Sequence, residues 1–104
     1  MRSYIVFRPR TANETLIEYL EQSARCGHRV HFPGAGPGVL ETSDPTLHIR
    51  AFPDKIRLHL IKHEWDAQLR FYCVGDLELP SSLLSVCGDL GIGISVWRSN
   101  VELG

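Results

Sequence analysis

A chain of 104 residues can bury one hydrophobic core and is too short for two, so a single domain spanning 1–104 is expected. A hydrophobic content of 43% excludes disorder, and a formal net charge of -1 is neither the basic footprint of a nucleic-acid binder nor the acidity of a nucleic-acid mimic. No stretch is long and apolar enough to span a bilayer, and residues 1–25 lack the apolar run of a signal peptide, so a cytoplasmic protein is expected.

Tyr4 to Phe7 reads as a short inner strand, stopped by Arg8-Pro9-Arg10 because proline cannot donate to a ladder. Thr11 and Glu14 have the form of a capping box. Leu16, Ile17, Leu20 and Ala24 then make one apolar stripe, with Glu14, Glu18 and Glu21 toward water. Arg25 suits the end of that helix and Gly27 its stop. His28 to Phe32 reads as a strand, Pro33 to Gly38 as irregular loop, and residues 39–45 as its continuation, ending in the turn-forming Ser43-Asp44-Pro45.

Leu47, Ile49 and Ala51 alternate with His48 and Arg50, the period of a strand; Pro53-Asp54-Lys55 is a turn signal. Ile56, Leu58 and Leu60 alternate in the same way with Arg57 and His59, and His63-Glu64-Trp65-Asp66 reads as the next turn. Leu69, Phe71 and Cys73 alternate with Arg70, Tyr72 and Val74, so three consecutive strands would form a meander. Ser81, after Pro80, opens a helix whose Leu83, Leu84, Cys87 and Leu90 recur at helical spacing. Ser is a good N-cap, and Gly91 suits the left-handed residue past the helix end. Ile92, Ile94 and Val96 make the last strand. The expected architecture is α+β in the order β-α-β-β-β-β-α-β, a mainly antiparallel sheet with two helices on one face.

Motifs that announce a chemistry are missing. The loop Gly34-Ala-Gly-Pro-Gly38 is rich in glycine like a phosphate cradle, but Pro37 removes a donor and no Lys-Ser or Lys-Thr follows, so it reads as a surface loop. Of five histidines, His28 and His31 are spaced for a helix face but lie on an expected strand, where they would point oppositely. His59 and His63 share a side only if their strand is unbroken, so neither a metal nor a cofactor is expected. His63, Glu64 and Asp66 could serve acid–base chemistry only in a pocket, and a hairpin tip is normally solvated. Cys26, Cys73 and Cys87 cannot all pair and show no metal-ligand spacing, which suits reduced cysteines in the cytosol. These features predict a non-enzymatic protein.

The remaining candidate is the sheet face opposite the helices. With the strands as read, Arg57, His59, Arg70 and Tyr72 share it with His48 and Arg50, and Trp65 sits at the adjoining hairpin tip. Cations beside an aromatic ring suit a protein interface, where Arg and Tyr are favoured anchors, or a sheet-surface nucleic-acid site; a plain solvated face is the third reading.

From Leu69 onward the chain also resembles the C-terminal half of a bacterial family of uncharacterised domains. The shared pattern is the strand Leu69-Arg-Phe-Tyr-Cys-Val74, the acidic segment Gly75-Asp-Leu-Glu-Leu-Pro80, the helix with its Asp89-Leu90-Gly91 step and the alternating Ile92-Gly-Ile-Ser-Val-Trp97. Some members of that family are encoded beside polymorphic toxins and are taken to be their immunity proteins. The family has an acidic step after its first strand, where this chain has Arg8-Pro9-Arg10, and no site residue transfers. The resemblance implies a small cytoplasmic inhibitor that blocks a partner protein, a toxin or defence-system component, with Arg57, His59, Arg70, Tyr72 and Trp65 as contacts. The alternative is a nucleic-acid-binding domain using the same face, and a free edge strand would also permit a homodimer.

Overall fold

The computed structural model describes residues 2–11, 13–32 and 37–99, so most of the glycine-proline loop lies outside the described residues. Along the chain come β1 (Arg2–Pro9), α1 (Glu14–Arg25), β2 (Val30–His31), β3 (Gly38–Thr42), α2 (Pro45–Arg50), α3 (Asp54–Ile61), β4 (Trp65–Val74), α4 (Ser81–Leu90) and β5 (Gly93–Ser99). The five strands form a mixed sheet in the order β2-β3-β1-β4-β5. β1 is antiparallel to β3 and β4, β2 is antiparallel to β3, and β4 is parallel to β5.

The α+β class is as expected, but the order of elements and the strand directions differ. β4-α4-β5 is a strand–helix–strand crossover, and a helix between neighbouring strands returns the chain to the same end, which makes the pair parallel. Residues 39–42, expected as loop, pair with β1 instead. The largest correction is at 45–61, where two expected strands are helices. The Asp44 carboxylate accepts from the Leu47 backbone N–H at 3.1 Å, and Pro45 occupies the first turn of α2, where its missing N–H costs nothing. The buried positions of α2 are Pro45 and Ile49, and those of α3 are Ile56 and Leu60, a spacing of four in each. Leu47 and Leu58, which produced the apparent alternation, are exposed.

Arg57 holds these two helices together. Its guanidinium donates to the carbonyl oxygens of Phe52, Ile49 and Arg50 at 3.0, 3.3 and 2.6 Å, at and just past the end of α2; Ile49 O also accepts from Phe52 N–H at 3.2 Å. The end of α3 is closed by backbone geometry. Glu64 N–H donates to His59 O at 2.9 Å and His63 N–H to Leu60 O at 3.1 Å, a Schellman arrangement with His63 in the left-handed region at φ 59. The turn is therefore shorter than read, and Trp65 and Asp66 already belong to β4.

The other two helices were read with nearly their observed extents. α4 ends as anticipated on Gly91 at φ 69, although Ser81 is its first residue and makes no side-chain cap. α1 follows Asn13 without the anticipated Thr11–Glu14 box, and buries Leu16, Leu20 and Ser23. Ser23 is accommodated because its hydroxyl donates to Tyr19 O at 3.0 Å.

All four helices pack on one side of the sheet. Leu16 and Leu20, Ile49, Ile56 and Leu60, and Leu83, Cys87 and Leu90 join one cluster with Ile5 and Phe7 of β1 and Trp65, Leu69 and Phe71 of β4. Replacing Arg57 by alanine leaves the carbonyls of Arg50 and Phe52 without their side-chain donor. It should lower unfolding free energy by about 1–3 kcal/mol in urea titration while native far-ultraviolet circular dichroism is retained.

Candidate functional site: the open sheet face

Side chains alternate along a strand, so the register that sends Ser3, Ile5 and Phe7 inward sends Arg2, Tyr4, Val6 and Arg8 outward. On β4 the outward positions are Asp66, Gln68, Arg70 and Tyr72; on β5 they are Gly93, Ser95 and Trp97; on β3 they are Val39 and Glu41. Paired positions line up in rows across the sheet. One row is Arg2, Tyr72, Trp97; the next is Glu41, Tyr4, Arg70, Ser95; the third is Val39, Val6, Gln68, Gly93.

Aromatic rings run through the first two rows. Tyr4 meets Tyr72 edge to face with centroids 5.5 Å apart, and Tyr72 lies nearly parallel to Trp97 at 6.0 Å with 16° between planes. Tyr72 keeps 40% of its surface in solvent and Trp97 54%. Beside them a hydrogen-bond chain fixes the polar groups. Gln68 Nε2 donates to Ser95 Oγ at 2.6 Å, and Arg70 Nε donates to Gln68 Oε1 at 2.7 Å. Between these rows opens a concavity of about 420 Å³, walled by Tyr4 and Tyr72, carrying Arg2 and Arg70, and floored by Val6 and Val39. Val6 faces away from the helices yet is only 4% exposed, being the bottom of this depression. A second hollow of about 240 Å³ lies on its other side, over Gly93, where a Cβ would meet no atom within 4 Å.

Of the residues expected on this face, Arg70 and Tyr72 are there. The other four, and Trp65 expected at its edge, are not. Arg57 and His59 sit on α3 across the sheet, because their segment is helical: Arg57 is the carbonyl clamp described above, and His59 Nδ1 lies 3.2 Å from Glu64 Oε1. Trp65 is 2% exposed in the core, stacked on His59 with centroids 4.2 Å apart. His48 and Arg50 belong to α2. Tyr4, Trp97 and Arg2 were missed. Tyr4 stood in an apolar run read as buried throughout, although Arg2 and Arg8 at the same parity mark even positions as outward. Trp97 shares parity with Ser95, and that alternation was legible.

The titratable groups with displaced proton affinity lie away from this face. Burial pushes the Tyr19 hydroxyl up to about 12, and burial also raises the Cys87 thiol. His48 is lowered by burial and by His28, against a smaller opposite pull from Asp44. The His28 and His48 rings are 4.5 Å apart, and His48 Nε2 is buried with no partner among the described residues. Among the described residues no three His, Cys, Asp or Glu side chains are grouped so as to hold a metal ion, and no helix is long and apolar enough to cross a membrane.

No protein-family model matches the chain, and no curated protein or solved structure shows significant similarity to it.

The two tryptophans should separate cleanly. Trp97→Ala should change stability by no more than about 1 kcal/mol and remove the fluorescence component quenched by acrylamide, whereas Trp65→Ala should cost about 3–5 kcal/mol. The folded protein binds a proton at His48 more weakly than the unfolded chain does, so acid favours unfolding. The stability His48 contributes is whole above its ordinary value of 6.5 and is lost as pH falls from there through its lower folded value. His48→Asn should therefore flatten the fall in thermal midpoint between about pH 7 and about pH 5.

Proposed function

We propose that this chain is a small non-enzymatic protein-binding inhibitor, an immunity-type protein or a phage or bacterial antagonist, that acts in the cytoplasm by covering the active or binding surface of a partner protein. The observation that carries the reading is the Tyr4–Tyr72–Trp97 cluster, with Tyr72 and Trp97 exposed and Arg2 and Arg70 beside it, on a sheet face that no helix of the described residues covers. Tyr, Trp and Arg are the residue types that dominate binding energy at protein interfaces, where a large ring loses few rotamers and a guanidinium can bond in two directions. Strand backbone holds these side chains in place, and the Arg70–Gln68–Ser95 chain adds side-chain restraint, so little ordering entropy is lost on docking. An inhibitor needs such a fixed shape and no reactive group. The groups whose proton affinity is displaced, Tyr19, His48 and Cys87, lie elsewhere than this face. The resemblance of Leu69–Trp97 to domains encoded beside toxins supports the same reading, with a toxin or defence-system component as the partner.

The same row favours a second reading, a single-stranded nucleic-acid surface on which bases stack. Net charge separates the two. A molecule of formal net charge -1 gains little long-range attraction for a polyanion. In capture experiments from the source cell, a protein retained by the native chain should be lost by Tyr72→Ala with Trp97→Ala. The affinity drop should be on the order of thirtyfold or more, and Leu58→Ala on the helical side should leave retention unchanged. Equal retention by all three chains, or recovery of nucleic acid in place of protein, would defeat the proposal.

A further inference from the structure

Arg2 and Tyr4 on β1 face Tyr72 and Arg70 on β4, so the four side chains form a checkerboard with the rings on one diagonal and the guanidinium groups on the other. Two cations thus border one depression, and neither has an acidic partner within the described residues. Four other arginines do have acidic neighbours: Arg10 is bound by Asp66 through three contacts of 2.7 to 3.2 Å, and Arg25, Arg29 and Arg98 approach Glu21, Glu41 and Asp76 at 3.8, 4.0 and 3.6 Å, whereas Arg8, Arg50 and Arg57 share with Arg2 and Arg70 the lack of one among the described residues. Arg70 is oriented by Gln68, a neutral acceptor that engages only Nε and leaves both terminal nitrogens without a hydrogen bond among the described residues. Below them the floor is apolar, with Val6 and Val39. A depression with an apolar floor, aromatic walls and two guanidinium groups that no acid among the described residues neutralises is complementary to a carboxylate next to an apolar or aromatic side chain.

We propose that this checkerboard is the anchoring pocket of the face, and that it receives an aspartate or glutamate flanked by an apolar or aromatic residue on an acidic loop of the partner protein. This rests on the protein-binding reading above and specifies the partner's chemistry. A nucleic-acid strand fits less well because the formal net charge of -1 gives a polyanion little long-range attraction and Glu41 stands next to Tyr4 in the β3 row, where a polyanion would have to pass it. A single carboxylate entering between Arg2 and Arg70 meets no such obstacle and neutralises two neighbouring like charges.

The test uses the full chain, isotope-labelled for amide spectra, and three probes. One is a short synthetic peptide with aspartate and glutamate on either side of phenylalanine, the second is the same peptide with lysines for the acids, and the third is a short oligo-uridine. The acidic peptide should shift amides of residues 2–6 and 68–72 saturably. Arg2→Gln and Arg70→Gln should each weaken that binding about tenfold, added salt should weaken it further, and the lysine peptide should have no effect. Arg2 is exposed, so its variant keeps the test informative if Arg70→Gln disturbs the hydrogen-bond chain. Absence of saturable shifts with the acidic peptide, equal shifts with the lysine peptide, or tighter binding of oligo-uridine each overturns the pocket assignment. A captured partner that depends on Tyr72 and Trp97 but ignores both arginine changes overturns the pocket and leaves the inhibitor reading standing. Peptide shifts confined to the helical side overturn both.

Discussion

Ile5 stands opposite Leu69 across the ladder between β1 and β4, and that register sets the inward and outward identity of every other position in the sheet. A slip by one residue would put Arg2, Tyr4 and Arg70 against the helices and Ile5, Phe7 and Leu69 in water. Both residues are fully buried, and the eight paired positions around them bind the two central strands over their whole common length. The apolar stripes of α1, α2, α3 and α4 converge on this one face, so no helix among the described residues covers the other. The open face is a by-product of how the core closes.

That arrangement separates two kinds of polar residue. On the helical side, ionisable groups serve the fold. Arg57 terminates α2, and His59 lies on Trp65 with Glu64 returned to it by the left-handed turn at His63. On the open side, Arg70 is held by an amide rather than a carboxylate, and the aromatic rings near it contact one another while Tyr72 and Trp97 remain about half in solvent. A charge neutralised within its own molecule adds little to binding, whereas one oriented but unneutralised is free to meet an opposite charge.

Legibility along the chain followed the number of independent signals at each place. From Leu69 to Trp97 a strand alternation, a proline before the helix, a repeat at helical spacing and a terminal glycine all agreed, and β4, α4 and β5 stand where they were read, except that β4 begins at Trp65. Between Pro45 and Ile61 the evidence was a short alternation at Leu47, Ile49 and Ala51, and another at Ile56, Leu58 and Leu60. Ile49 and Pro45 are also four apart, as are Ile56 and Leu60, so the same residues satisfy a helix. Asp44 and Pro45, like Pro53 and Asp54, occur in turns and at helix starts alike. The site inherited both outcomes. Arg70 and Tyr72 were found because their strand was found, and Arg57, His59 and Trp65 went to the core side with the segment that was misread.

By itself the sequence determined the α+β class, the inward Leu16 and Leu20 of α1 and Leu83, Cys87 and Leu90 of α4 (though not the exposed Ala24 and Leu84 read with them), the stop at Gly91 and the outward parity of Arg70 and Tyr72, because each rests on periodicity or on the conformational limits of a single residue. It left open which strands neighbour one another and which direction β5 runs. It also left open whether Tyr4 joins the core or the surface. These depend on contacts between residues far apart in the chain, such as Tyr4 with Arg70 and Tyr72 with Trp97, and local pattern carries no record of them. Only the tertiary structure could bring three aromatic rings and two arginines from β1, β4 and β5 onto one face, since pairing across the sheet decides adjacency and burial of the opposite side decides exposure.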